Sequence, residues 1–135
     1  MDTIYLEREE ITENVIVIKI NRSYKETMSE TALYDVTRGY WKLNLKRAKQ
    51  AEYAFSVYKG KIKEVYKIDE WLPAGSIPRP TLSDAEVPAD RYEFTGKVAE
   101  NAIRNKYVGK SIAHLHRKGD ANPTKYLFNE EISCV

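Results

Sequence analysis

Tyr53-Ala-Phe-Ser-Val-Tyr-Lys-Gly-Lys-Ile-Lys-Glu-Val-Tyr-Lys-Ile68, with Trp71 close behind, is the stretch whose reading decides the fold. It is dense in β-branched and aromatic residues, which suit a pleated, half-buried surface, and Gly60 divides it into two extended segments. In the first segment Tyr53, Phe55 and Val57 share one parity and fall on one face of a strand, with Ala54, Ser56 and Tyr58 on the other. In the second, strict alternation puts Ile62, Glu64, Tyr66 and Ile68 together. Lys61, Lys63, Val65 and Lys67 are left as a mostly cationic face, turned to solvent or a polyanion. The connection at Lys59-Gly60 is too short for a crossover and predicts an antiparallel hairpin.

The chain of 135 residues fits one domain that can bury a core without disulfides or metal. Its single cysteine, Cys134, excludes an internal disulfide and a multi-cysteine zinc site. No apolar run approaches a membrane span, and Met1 to Glu10 lacks a basic and then apolar leader, so a cytoplasmic protein with no membrane partner is expected. Net charge is only +2, but it is unevenly spread. Lys97 to Lys118 holds six Lys or Arg against the single acid Glu100, and Lys42 to Lys49 holds four with no acid. Asp2 to Glu13 is acidic. Such basic runs are ordinarily solvated faces, and attract phosphates where folding brings them together.

Around the hairpin, Asn14 to Ile20 predicts a strand buried on both faces, because its apolar character is nearly continuous. Ser29 is placed to cap a short helix from about Glu30 to Val36, with Met28 stapled onto Leu33 and Gly39 ending the helix in a left-handed conformation. Tyr40-Trp41 then starts a short strand, and Lys46 to Ala51 forms a basic turn or short helix. Trp71 to Pro88 carries four of the five prolines and predicts a long loop at about 71–90. Arg91 to Val98 is a further strand, Ala99 to Tyr107 a one-sided helix ended by Gly109, and Thr124 to Phe128 a last strand.

Catalytic signatures are sparse. Gly109-Lys110-Ser111 has the ending of a phosphate-binding P-loop, but Arg104 stands where that motif needs glycine, and a helix precedes it. His114 and His116 have no nearby acid or cysteine to complete a metal site, so surface histidines are expected and no metal or cofactor. Lone serines and carboxylates show no spacing that assigns a nucleophile and its base, which makes an enzyme the weaker expectation.

The order strand, helix, short strand, hairpin, long loop, strand, helix, strand, taken with Thr37-Arg-Gly-Tyr-Trp41, Tyr53-Ala-Phe-Ser-Val-Tyr-Lys-Gly60 and Glu64-Val-Tyr-Lys-Ile68 to Trp71, resembles PUA-like domains, particularly the EVE, YTH and ASCH branches. The resemblance spans about Asn14 to Phe128. It implies an α+β fold: a small mixed β-barrel or strongly curved sheet with two or three short helices. It also implies a nucleic-acid or nucleotide-binding module, in some members a reader of a modified base through an aromatic pocket. On that reading Trp41 walls the ligand, Arg38 contacts a phosphate or base edge and Trp71 closes the pocket. Lys106, Lys110 and Ser111 hold backbone phosphates beside it. From another class, the chain reads as a small phage or mobile-element factor that regulates a protein partner without catalysis. A small hydrolase or nuclease is a third reading.

Overall fold

The computed structural model describes residues 4–21, 23–77, 90–115 and 123–128. The five strands are β1 (Val15–Lys19), β2 (Tyr53–Tyr58), β3 (Lys61–Pro73), β4 (Tyr92–Val98) and β5 (Thr124–Leu127). The helices are α1 (Glu30–Arg38), α2 (Leu45–Ala48) and α3 (Asn101–Tyr107). The strands form one sheet in the order β4-β3-β2-β1-β5. β1 and β2 are parallel, joined by the crossover that carries α1 and α2, and the other pairs are antiparallel.

The sheet is open: β4 and β5 are its two edges, and it neither closes into a barrel nor curls strongly. This corrects the barrel expected from the PUA-like resemblance. The reason lies in the packing. The central strands are apolar on both faces and each face has its own cover, so closure of the sheet on itself is not needed to exclude water. On one face Val15, Val17, Tyr53, Phe55, Val57, Ile62, Val65 and Leu127 pack with Tyr107 of α3 and with Leu6 and Ile11 of the N-terminal segment. On the other, Ile16, Ile18, Ala54, Tyr66, Trp71, Phe94 and Phe128 pack with Val36 of α1 and Ala48 of α2. The two-sided burial predicted for β1 is thus observed.

The hairpin forms in the expected sense, and its turn residues Lys59 and Gly60 both have positive φ, at 49° and 80°, as the tight hairpin turn of matching twist requires. A Cβ on Gly60 would also lie 2.4 Å from that of Ala113. Strict alternation along β3, however, fails. Ser56 pairs with Glu64 and Val57 with Ile62, so Lys63 is an extra residue in a bulge. Ile62 and Val65, three apart, therefore share one face, and Val65 is core rather than part of a cationic stripe. A second bulge at Asp69, between the pairs Ile68–Gly96 and Glu70–Thr95, puts Trp71 on the face of Tyr66 and Ile68. Gly96 is obligatory there: a Cβ would stand 2.1 Å from the Lys67 carbonyl oxygen.

Local signals place the starts of α1 and α2. Ser29 Oγ accepts from Ala32 N at 3.1 Å and Asn44 Oδ1 from Arg47 N at 3.1 Å. Met28 and Leu33 both pack on the α1 face of the core. Gly39 is not left-handed but extended, at φ −177°. Its missing side chain serves a close approach instead, since a Cβ would fall 2.9 Å from that of Glu93. Trp41 makes a single bridge to Tyr92 rather than a strand. β3 runs on through Trp71 to Pro73, so the expected loop begins later; its residues 78–89, together with His116 and Cys134, lie outside the described residues.

At the β4 edge the core holds charge. Arg38 is 2% exposed and Glu93 fully buried. Arg38 Nη1 donates to Glu93 Oε2 at 2.7 Å and Nη2 to the Ile77 carbonyl at 3.2 Å, while Asp35 lies 3.6 Å from Nε. Glu93 Oε1 accepts from Gly75 N at 2.7 Å. One ion pair thus ties α1, β4 and the segment after β3 together. Removing one partner strands a buried charge, so Arg38→Met should lower unfolding free energy by about 3–5 kcal/mol in a denaturant titration, and Arg38→Met with Glu93→Leu should recover part of it. A loss below about 1 kcal/mol for the single change would contradict this assignment.

Candidate functional site

The residues singled out in the sequence divide between distant parts of the sheet. Arg38 and Trp41 adjoin at the C-terminal end of α1, where Trp41 Nε1 donates to the Thr37 carbonyl at 2.7 Å and its backbone pairs both ways with Tyr92. Trp71 lies on the same face, its ring 5.4 Å from that of Phe94. It lines a groove of about 290 Å³ with Lys49, Ala51, Ile68, Asp69 and Glu70. Its buried Nε1 has no partner among the described residues. The Arg38 guanidinium is occupied by Glu93 and Ile77.

Lys110 and Ser111 lie at the other end of β3, beside the hairpin. Ile62 N donates to the Lys110 carbonyl at 2.9 Å, and Ser111 bridges to Lys61. Ser111 is buried, and its Oγ accepts from Ala113 N at 3.3 Å. From Lys61 to Trp71 along a strand is roughly 30 Å. Lys106 is in neither group: Thr12 and Glu13 hold its ammonium near the start of β1. The pocket with phosphate-holding lysines beside it, as the resemblance implies, is not assembled from these six positions.

What the fold does assemble is a basic, tyrosine-bearing end of the sheet. The C-terminal ends of β1 and β2 and the starts of β3 and β5 meet there, bringing Lys19, Lys59, Lys61, Lys63 and Lys125 to one rim, with Lys110 beside Lys61. Tyr24, from the connection after β1, packs against Tyr58 with ring centroids 4.5 Å apart and planes 33° from parallel. Lys63 Nζ stands over both rings, 5.0 Å from the Tyr24 centroid and 6.0 Å from that of Tyr58. Lys59 Nζ is 5.3 Å from the Tyr58 centroid. Both rings are half-buried, so their inner edges are fixed by the core while outer surface meets solvent.

Among the described residues, none of Lys25, Lys59, Lys61, Lys63 and Lys110 forms an ion pair with an acid. The acid nearest in sequence, Glu64, is held by Arg104 at 2.9 and 3.1 Å. Glu26 and Glu7 are further acids on adjoining segments, and Glu7 lies 3.7 Å from His114. The Lys63 bulge is what turns a lysine onto the tyrosine face. The lysines of the hairpin are legible in the sequence as a cationic face but Tyr24 is not, because nothing in Asn21 to Thr27 indicates that this connection folds back over β2.

No protein-family model, curated protein or solved structure matches this chain. Among the described residues no helix is long and apolar enough to cross a membrane, and no group of three or more His, Cys, Asp or Glu is placed to hold a metal ion.

A second polar cluster lies near the start of β1. Tyr107 Oη donates in a short hydrogen bond to Glu13 and accepts from Thr12 N at 3.3 Å, with Lys106 Nζ 3.2 Å from Glu13 Oε1. Burial alone would raise the Glu13 pKa, but hydrogen bonds from Tyr107 and Lys106 outweigh it and hold the carboxyl below its ordinary value. Alongside, burial and then the 2.7 Å hydrogen bond to Glu100 push Tyr53 up to about 12. The cluster fastens α3 to the segment leading into β1. Glu13 is lowered in the folded state, so its stabilisation is present above its unfolded pKa and lost as pH falls through the folded value. Thermal melts of wild type and Glu13→Gln should therefore differ at pH 7 and converge as pH is lowered toward 3. Tyr53 has the opposite sign: its share is full below about 10 and lost toward 12, so Tyr53→Phe should soften the alkaline transition over that window.

Proposed function

We propose that this protein is a nucleic-acid-binding module whose interface is the basic, tyrosine-bearing end of the sheet. The observation that carries the reading is the Tyr24–Tyr58 pair with Lys59 and Lys63 against its rings. Among the described residues Lys25, Lys59, Lys61, Lys63 and Lys110 have no acidic partner. Phosphates supply the counter-charge such lysines lack, and unstacked bases supply flat faces for the rings. Holding an ammonium against an exposed ring is worth only about 0.5–1 kcal/mol. Charge-assisted hydrogen bonds to phosphate are stronger, so Lys59 and Lys63 can exchange ring for phosphate when a ligand arrives. No catalytic group belongs to this reading, which is one of binding alone.

Counterion release makes a quantitative test available. Binding of a fluorescent oligonucleotide should weaken with salt, with log K against log salt falling at about −3 if four or five phosphates are neutralised on a single strand. Changing Lys59, Lys61 and Lys63 together to Gln should reduce that slope by about 2, with little change in melting. Lys67→Gln with Lys97→Gln is the control, because these two exposed lysines face each other on β3 and β4 away from the hairpin end. Binding to a folded protein partner, insensitive to salt and to the hairpin lysines, would favour the regulatory alternative instead.

A further inference from the structure

We infer that the ligand of this surface is a single-stranded segment, one of whose bases stacks on the outer side of the Tyr24–Tyr58 pair. The inference rests on the binding reading above and deepens it. In a duplex the base faces are covered by their neighbours and only the edges reach the grooves, so a tyrosine ring held in a surface has no base face to meet. Tyr58 cannot leave the surface to wedge into a stack. Its strand is paired on both sides, and its half-buried ring packs against Tyr24 and against the α1-face core. The pair is a fixed platform, and a platform selects bases that are already splayed out.

The extent of the basic rim points the same way. From β3 through β2 and β1 to β5 is three inter-strand steps, about 14 Å at the usual spacing. A duplex reader spans a helical turn of about 34 Å or places an element in the major groove. Among the described residues of β3 and β4, the next exposed lysines, Lys67 and Lys97, lie well up the sheet from the hairpin. The rim matches the phosphates of a few nucleotides on one strand. Lys59 and Lys63 lie against the rings and Lys61 and Lys110 beside them, so a backbone passing from Lys110 and Lys61 to Lys59 and Lys63 draws those ammonium groups onto phosphates and brings one base over the tyrosines.

The test compares one oligonucleotide sequence as single-stranded DNA, single-stranded RNA and duplex DNA at fixed salt, using wild type, Tyr58→Leu and Tyr58→Trp, each with a thermal melt. Tyr58→Leu keeps apolar packing on the core and removes the ring, whereas Tyr58→Trp restores a face. Single strands should bind wild type more tightly than the duplex. They should lose about tenfold or more in Tyr58→Leu and regain affinity in Tyr58→Trp, and the residual duplex binding should not respond to either change. Salt-dependent binding of single strand and duplex alike, unmoved by Tyr58→Leu in a folded protein, would overturn the single-strand inference and leave the basic interface standing. Absence of binding to every oligonucleotide would overturn both. If Tyr58→Leu melts early, Tyr24→Leu provides the same comparison from the connection, outside the sheet.

Discussion

The two bulges in β3 are the constraint on which the rest of this structure depends. A strand alternates its side chains, and β3 would need incompatible parities to bury Ile62, Val65, Tyr66 and Trp71 where they are needed. One extra residue at Lys63 and another at Asp69 resolve the conflict. The first puts Val65 into the core beneath α3 and lifts Lys63 toward the tyrosines. The second carries Trp71 onto Phe94 on the α1 face. Both local irregularities shape the surface: one places a cation over an aromatic pair, and the other contributes Asp69 to the groove that Trp71 lines.

The ends of β3 then take on different work. At its far end Arg38 and Glu93 are buried together, a pairing whose attraction is offset by the desolvation of both charges and which therefore specifies geometry more than it adds stability. Asp35, Gly75 and Ile77 complete it, so α1, β4 and the segment leaving β3 are fixed to one another. At the near end Lys59 and Lys61 are exposed and Lys63 and Lys110 half-buried, and among the described residues none of these four pairs with an acid. Burial and pairing thus set the enclosed charge at one end of β3 apart from the surface charge at the other. An arginine beside a tryptophan, attractive as a base-and-phosphate reader in the sequence, belongs to the structural half.

The covering of both faces also explains why the sheet stays open. β1 and β2 have apolar side chains on each face, and α1 and α2 on one side with α3 and the N-terminal segment on the other satisfy them. A barrel is an alternative way of hiding an apolar face, and it is redundant where helices already do so. α3 is sewn to β3 at both of its ends, by Ala99 N to the Val65 carbonyl and Gly109 N to the Ile62 carbonyl, each at about the length of a sheet hydrogen bond, 2.9 and 2.8 Å. That stitching occupies the edge of β3 beyond β4 and so narrows the exposed sheet edge.

The sequence by itself determined the elements whose signals are local. β1 is legible because four consecutive residues, Val15 to Ile18, are β-branched, the hairpin because Lys59-Gly60 leaves room for nothing else, and α1 because Ser29 caps it and an apolar stripe follows. It also marked the lysines of the hairpin as a cationic surface. Only the tertiary structure decided the bulges, since an extra residue in one strand is defined by its pairing with another and leaves no trace in parity along the chain. It alone decided the open sheet, because closure depends on which faces distant segments cover. It alone decided the candidate site, because Tyr24 reaches Tyr58 from a connection with no signal of its own, and because Arg38 is withdrawn from any ligand by a glutamate 55 positions away.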